Sequence, residues 1–192
     1  NLETLKDILS LFGEEKEAFR IATNIIKQRK NKPILTVPDL VNIIKKSKRP
    51  NFKKKINIST QTFQAIRIFV NKEIFELIEG LISATKLLNQ GGKIIVLTFH
   101  SIEDKIVKFF FKNYSEFKNS SRYSPMKVKN NRCFNLKNKK PITPSEEELK
   151  LNPPSRSAKL RYAIKISNEC DFEEFINKFK QLTDIEELNF EK

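Results

Sequence analysis

The amino-acid sequence predicts an α/β fold, and two observations carry that prediction. The first is the segment Leu88 to Lys108. In it a helical pattern ends at Gly91-Gly92, an apolar run follows from Ile94 to Phe99, and a new helix begins after a sharp turn at His100. The second is the alternation of apolar and charged side chains from Lys159 onward, which is typical of a strand. Ligands of open α/β sheets bind where the carboxyl end of a strand leads into a helix. The only histidine, His100, therefore lies where chemistry is expected.

Three short helices are predicted at the front of the chain. Apolar side chains recur every three or four positions in residues 1–11, 14–29 and 39–46. The first pattern stops near Gly13. The third begins after Thr36, whose hydroxyl can cap a helix, with Pro38 in the first turn. We expect these helices to form a small all-α unit, closed by the basic segment 45–55.

A longer helical pattern leads into the apolar strand. It covers residues 61–88, with Thr60 as its predicted cap and a break near Asn71. We expect the strand that follows to be buried and to pair with parallel neighbours, as continuous apolar runs in α/β folds do. Ser101 is predicted to cap the next helix, with Asp104 as its reciprocal partner.

The second half of the chain combines a long loop with a strand and a helix. Residues 113–150 are polar and basic and lack a clear period, and a loop of that length is usually functional or disordered. The strand after it has Leu160, Tyr162, Ile164 and Ile166 on one face, and Lys159, Arg161 and Lys165 on the other. Residues 172–179 then mark a C-terminal amphipathic helix.

The net charge of +14 is concentrated in two segments. Residues 45–55 carry seven cations and no anion, and residues 112–165 carry fourteen cations against four anions. The tail from Glu169 onward is acidic. Concentrated cations suit a polyphosphate partner, because each neutralised phosphate releases counterions. A basic, solvated surface in a lysine-rich protein is the alternative explanation.

Composition also limits the cellular setting. No apolar run approaches the length of about 18 residues that a membrane span needs, and the first residues resemble neither a signal peptide nor a transit peptide. The chain begins at Asn1 without a methionine, directly in a helical pattern, which suggests a piece of a longer chain. Cys133 and Cys170 match no metal spacing, so we expect reduced thiols in the cytoplasm and assign them no role.

Three blocks of sequence carry a family resemblance. They are Phe99 to Lys108, Thr62 to Asn71 and Asn152 to Arg161, and together they closely resemble the RsmH (MraW) family. Gly13-Glu14-Glu15 is similar to a Tyr-Gly-Glu-Glu segment in that family's helical insertion. The resemblance runs from about residue 5 to 166. It implies methylation, with S-adenosyl-L-methionine as cofactor, of the 4-amino group of a cytidine in the decoding region of 16S ribosomal RNA.

The resemblance covers only part of such an enzyme. The family's cofactor pocket lies upstream, on a Gly-Gly-His loop, an acidic residue for the ribose and an Asp-Leu-Gly segment. None of these is in the chain, whose glycines stand only at positions 13, 80, 91 and 92. The resemblance therefore implies the C-terminal half of a Rossmann-like methyltransferase with a helical insertion, and a fragment that is inactive alone. The implied parts are residues 1–55 (helical insertion), 56–167 (distal Rossmann-like domain with the basic loop 113–150) and 168–192 (helix and acidic tail).

Candidate site residues follow from the resemblance and from their positions. His100 and Ser101 are predicted on the substrate side of the pocket, although His100 could instead only orient the helix after it. Site-supporting residues are predicted to be Gln64, Arg67, Asn71, Glu103 and Asp104. For Arg67, pairing with an internal carboxylate is favoured over an RNA contact. RNA contacts are predicted for Lys53, Lys54, Lys55, Lys127, Lys129, Arg132, Arg156 and Lys159. For Arg156 and Lys159, a contact with a carboxylate of the domain is the alternative. No residue of this chain is assigned to the cofactor or to a metal.

Two alternatives remain open from the sequence. Asn152-Pro153-Pro154-Ser155 is similar to an amine-binding motif of DNA amino-methyltransferases, but Ser155 replaces its aromatic residue, so a rigid loop is favoured. The second alternative concerns the whole chain, which could be a non-catalytic RNA- or ribosome-binding protein derived from the family's distal half. The expected partner is 16S rRNA in the small ribosomal subunit, in the cytoplasm and away from membranes, and a homodimer is a further expectation.

Overall fold

A computed structural model describes residues 1–49, 57–116 and 132–188 of the chain. They fall into two compact units. We call residues Asn1–Phe75 with Gln181–Lys192 the helical unit, and residues Glu76–Lys180 the sheet unit. This division follows packing, and the three-part division expected from the sequence remains a prediction. Among the described residues, no helix is both long and apolar enough to cross a bilayer.

The helical unit begins with four helices. They are α1 (Leu2–Gly13), α2 (Ala18–Asn31), α3 (Val37–Ser47) and α4 (Thr60–Asn71). Their apolar faces meet in a core that includes Leu9, Phe12, Ile21, Ile44 and Ile68. Gly13 lets α1 end against α4, since a Cβ there would lie 2.5 Å from the carbonyl oxygen of Gln61.

The local signals at the ends of these helices explain where they begin. The predicted cap of α3 is confirmed as a full capping box, in which Thr36 accepts from the amide of Asp39 at 3.3 Å and Asp39 accepts from the amide of Thr36 at 3.2 Å. By contrast, α2 begins at Ala18 rather than at the predicted residue 14. Glu14 has a left-handed backbone with φ 49° and ends α1, so it cannot also start α2.

The predicted break near Asn71 is also confirmed. Lys72 has a left-handed backbone with φ 52°, and helix α5 (Glu73–Leu87) begins directly after it. The buried carboxylate of Glu186, at the end of helix α8 (Glu173–Glu186), accepts from the amides of Ile74 at 3.1 Å and Phe75 at 2.8 Å. This burial raises the pKa of Glu186 above its ordinary value. The start of α5 is therefore capped by a residue more than a hundred positions away.

The described residues of the sheet unit form three short strands. They are β1 (Lys93–Thr98), β2 (Phe134–Asn135) and β3 (Lys159–Lys165), in the order β1-β3-β2. Both pairings are antiparallel. The prediction of a buried β1 with parallel neighbours is therefore wrong for the described residues, because β3 returns along it in the opposite direction. Helix α6 (Ser101–Asn113) follows β1. The predicted loop 113–150 contains β2 and the start of α7 (Glu146–Leu151), and a 3₁₀ turn follows at Pro153–Ser157.

In β3 the face with the cationic side chains is buried and the face with the large apolar side chains is partly exposed, the reverse of an ordinary amphipathic strand. Arg161 and Lys165 are buried, whereas Leu160, Tyr162 and Ile164 remain partly exposed. The Lys165 ammonium donates to the carbonyl oxygens of Thr85 at 2.7 Å and Leu88 at 2.6 Å. It thereby satisfies acceptors at the C-terminal end of α5, where a cation is favoured.

Aromatic side chains fill the core of the sheet unit. Phe110 of α6 lies at ring-centroid distances of 4.8 Å from Phe175 and 5.1 Å from Tyr114. Tyr114 is fully buried, and this burial raises the pKa of its phenol to about 12. Cys133 and Cys170 form a disulfide beside this core, with a Cα–Cα distance of 5.7 Å. The expectation of two reduced cysteines without a role is thus corrected, because folding brings two distant segments together.

Candidate functional site

His100 connects the end of β1 to helix α6. Its backbone is extended, with φ −135° and ψ 166°, and its Nδ1 accepts from the amide of Glu103 at 3.4 Å. The Glu103 carboxylate accepts in return from the amides of His100 at 3.2 Å and Phe99 at 2.9 Å. The capping pair is therefore His100 with Glu103, and the predicted pair of Ser101 with Asp104 is wrong. Ser101 is instead the first residue of the helix.

The cap fixes both the imidazole and the carboxylate. The His100 side chain is only 8% exposed, and its Nε2 lies 3.2 Å from Oε1 of Glu103. Partial burial acts to raise the pKa of Glu103, but the His100 side chain and the amides of Phe99 and His100 hold that pKa below its ordinary value. An ionised Glu103 thus orients His100 at the carboxyl end of β1. A contact of His100 or Ser101 with substrate stays a prediction.

Asp104 has a different task from the predicted cap. Its Oδ1 accepts from Nε of Arg161 at 2.7 Å, and its Oδ2 accepts from Nζ of Lys159 at 3.0 Å. Asp104 and Arg161 are buried, whereas 40% of the Lys159 side chain is exposed. This cluster of Asp104, Arg161 and Lys159 connects the first turns of α6 to the start of β3. An RNA contact of Lys159 stays a prediction. Its ammonium already donates to Asp104.

Replacing Asp104 by Asn is expected to lower the free energy of unfolding at pH 7 by about 1–3 kcal/mol, because a buried guanidinium loses its counter-ion. Burial acts to raise the pKa of Asp104, but hydrogen bonds from Arg161 and Lys159 hold that pKa below its ordinary value. A lowered folded-state pKa gives stability that is present above the unfolded pKa and is lost as pH falls through the folded pKa. The difference between wild type and variant should therefore shrink below about pH 4 in urea denaturation followed by circular dichroism. A difference that stays constant down to pH 2 would contradict the assignment.

Three predicted supporting residues, Gln64, Arg67 and Asn71, lie on α4 in the helical unit. Arg67 donates from Nε and Nη2 to the two carboxylate oxygens of Glu73, at 2.7 and 2.9 Å, and Asn71 donates to the same carboxylate at 3.2 Å. The expected pairing of Arg67 with a carboxylate is thus confirmed. Gln64 donates to the carbonyl oxygen of Phe12 at 3.4 Å. These contacts join helix ends within the helical unit.

The predicted RNA contacts are distributed unevenly over the described residues. Lys53, Lys54, Lys55, Lys127 and Lys129 lie outside them. Arg132 donates from Nε to the carbonyl oxygen of Ser115 at 3.2 Å, and Arg156 is exposed in the 3₁₀ turn.

The Asn-Pro-Pro-Ser tetrapeptide forms the compact turn that the favoured alternative predicted. Ser155 is buried, and its hydroxyl donates to the carbonyl oxygen of Asn152 at 2.7 Å. This contact leaves the side chain of Ser155 committed to the turn. The tetrapeptide therefore has the geometry of a rigid connection to β3.

The sequence did not predict a buried ion pair in the helical unit. The carboxylate of Glu15 pairs with the ammonium of Lys48, and the two side chains are 2% and 7% exposed. Thr62 donates its hydroxyl to Glu15 at 3.3 Å, and Lys48 also donates to the carbonyl oxygen of Ile58. The pair thus holds the α1–α2 connection against the segments that flank residues 50–56. The Gly-Glu-Glu segment was the available signal, but Lys48 lies in the basic segment 45–55, whose cations were expected to suit a polyphosphate partner.

Comparison with known proteins gives consistent matches. Residues 1–166 match the model of the MraW methylase family. Ribosomal RNA small subunit methyltransferase H of Ehrlichia chaffeensis is 46% identical over 164 residues, which is 85% of this chain and 52% of the relative. The protein of the same name from Sulfurihydrogenibium azorense is 44% identical over 163 residues, 84% of this chain and 51% of the relative. That from Allorhizobium ampelinum is 40% identical over 194 aligned residues, 98% of this chain and 56% of the relative. The chain spans about half the length of the curated relatives it matches.

Proposed function

Because the chain belongs to the MraW methylase family, we propose that it forms part of an enzyme that methylates ribosomal RNA of the small subunit. The proposed reaction transfers a methyl group from S-adenosyl-L-methionine to the 4-amino group of a cytidine in the decoding region of 16S rRNA. The observation that carries the proposal is the match over residues 1–166, which includes the whole segment from β1 through the His100 cap to β3. The names of the relatives support the small-subunit substrate.

The proposed chemistry needs alignment more than it needs strong acids or bases. The amine of cytidine is conjugated with its ring and is a weak nucleophile, so the enzyme has to bring it in line with the methyl group that it attacks. A hydrogen-bond acceptor facing the amine would help to free its lone pair. The base also has to leave its stack to reach the site. His100 and Ser101, at the carboxyl end of β1, are the residues of this chain that we propose on the substrate side.

The one glycine-rich turn of the described residues does not fit the cofactor. Gly91 and Gly92 form the only adjacent glycine pair in the sequence, but the backbone uses both of their amides. The amide of Gly91 donates to the carbonyl oxygen of Lys165 at 2.9 Å, and the amide of Gly92 donates to the carbonyl oxygen of Asn89 at 3.0 Å. No free glycine cradle for a nucleotide is therefore formed by this turn. We propose that residues outside this chain bind most of the cofactor. No step of the proposed reaction is assigned to a contact between the cofactor and the described residues.

The 192-residue chain alone is expected not to bind S-adenosyl-L-methionine tightly. Isothermal titration calorimetry of the purified chain measures this directly, and the complete protein serves as the positive control. A micromolar dissociation constant for the 192-residue chain would place the cofactor pocket within it and contradict the proposal.

The function itself is tested with the complete protein and small ribosomal subunits from cells that lack the modification. Incubation with the cofactor should produce N4-methylcytidine in 16S rRNA, detected by mass spectrometry of nuclease fragments from the decoding region. Methylation of a different nucleotide would overturn the substrate proposal, and the absence of any methylation would overturn the enzymatic one.

The net charge of +14 favours a second candidate, a non-catalytic RNA- or ribosome-binding protein. It predicts binding to the small subunit without methyl transfer in the same assay. In either case the proposed partner is 16S rRNA in the cytoplasm. A homodimer stays a prediction.

A further inference from the structure

A basic pocket lies on the sheet unit, beside helix α6 and β3. Its volume is about 240 Å³, and four cations line it, namely Lys108, Lys112, Lys139 and Arg161. Phe111 and Leu136 contribute apolar lining. All of these residues belong to the sheet unit, so the described lining of the pocket lies within one compact unit.

The charges around the pocket remain unbalanced. Among the described lining residues Glu116 is the only acidic one, and it pairs with the mostly exposed Lys139 at 3.4 Å. Asp104 holds Arg161 but shares its charge with Lys159. A single carboxylate therefore faces two cations there, while Lys108 and Lys112 add exposed charge on the same side. The pocket is thus suited to an anion.

One wall of the pocket is fixed in advance. Arg161 is only 8% exposed, and it is held by Asp104 at 2.7 Å and by its Nη1 donating to the carbonyl oxygen of Lys139 at 3.1 Å. A guanidinium immobilised in this way keeps its direction without a further loss of side-chain entropy when an anion arrives. The surrounding lysines are exposed and can close on the anion from outside.

We propose that this pocket binds a backbone phosphate of single-stranded RNA, with the adjoining ribose against Leu136. A flexible single strand can turn a phosphate into a cavity of this kind, whereas a stiff duplex keeps its phosphates on a regular outer surface. The proposal rests on the proposed function for the presence of RNA as substrate. It adds a specific anchoring site away from the His100 cap.

The test compares two triple variants of the chain that remove the same charge. In the pocket variant, Lys108, Lys112 and Lys139 are each replaced by Gln. In the control variant the same replacement is made at three exposed lysines of the sheet unit that do not line the pocket, Lys86, Lys105 and Lys150. Circular dichroism and melting temperature verify that both variants fold. Arg161 is left unchanged because it is part of the buried cluster.

Binding of a single-stranded RNA is then measured against salt concentration without cofactor. The pocket variant should lose at least fivefold more affinity than the control variant. Its slope of log affinity against log salt should fall by about 0.7 for each phosphate contact removed. In wild type, bound RNA should protect Lys108, Lys112 and Lys139 from acetylation, detected by mass spectrometry, and should leave Lys86, Lys105 and Lys150 reactive.

The outcomes separate this proposal from the proposed function. Equal losses of RNA affinity in the two variants, or RNA binding without protection of the pocket lysines, would overturn the pocket proposal and leave the proposed function untouched. Protection by inorganic phosphate or cytidine monophosphate but not by RNA identifies a free-anion site and also overturns the pocket proposal. If the chain binds no RNA, the pocket proposal fails, and the methylation assay on complete protein decides separately about the enzyme.

Discussion

Replacing Glu15 by Gln is expected to lower the free energy of unfolding of the helical unit by about 3–5 kcal/mol, because the substitution leaves the ammonium of Lys48 buried without its counter-ion. The two side chains are 2% and 7% exposed, so water cannot replace the lost carboxylate. The substitution also replaces the carboxylate that accepts the hydrogen bond from the Thr62 hydroxyl. Urea denaturation followed by circular dichroism measures the change.

Two further variants separate the ion pair from a general effect of charge. Glu14→Gln removes the same charge from the neighbouring exposed residue and should change the free energy of unfolding by no more than about 0.5 kcal/mol. Adding Lys48→Met to Glu15→Gln removes the unpaired cation and should recover part of the lost stability. A loss below about 1 kcal/mol in Glu15→Gln, or no recovery in the double variant, would show that the pair does not stabilise the unit.

Several elements of the fold could be predicted because their signals are local. The capping box of α3 needs only Thr36 and Asp39 at the right spacing, and both lie within one helical turn. The break predicted near Asn71 corresponds to the left-handed Lys72. The alternation in residues 159–165 likewise identified β3.

Which face of β3 is buried could not be predicted from that alternation. Periodicity separates two faces but does not say which one meets the core. In the described residues, Lys165 and Arg161 face inward because each finds specific partners, carbonyl oxygens for the ammonium and Asp104 for the guanidinium. Ile95 and Leu97 of β1 are 61% and 52% exposed on the other face. Long-range polar partners of this kind leave no local signal in one sequence.

The turn at His100 could be located from the sequence, but its hydrogen bonds could not be described. The end of an apolar strand followed by a helix identified the position, and the only histidine made it a candidate. Histidine is not among the favoured N-cap residues, so the adjacent Ser101 was the natural choice from the sequence. The structure instead gives the cap to His100, because Ser101 already has helical backbone and Glu103 can reach back to the amides of Phe99 and His100.

That finding sharpens the test of His100 in the complete protein. His100→Ala should remove the cap and lower the free energy of unfolding by about 0.5–2 kcal/mol. His100→Asn should restore most of it, because Asn is a favoured N-cap and its side-chain oxygen can accept from the amide of Glu103. The Asn variant therefore keeps the helix start while removing the imidazole.

If the imidazole contacts the substrate, both variants should methylate more slowly by a factor on the order of ten to a thousand, as expected for loss of one positioned polar contact near the reacting centre. His100→Asn should then combine near-normal stability with a strongly reduced single-turnover rate. If His100 only orients α6, the Asn variant should recover the rate together with the melting temperature. Both quantities are measured on the same preparations, with cofactor saturating. An Asn variant as active as wild type would contradict a substrate contact, and the role of His100 would then be to hold Glu103 and the first turn of α6 in place.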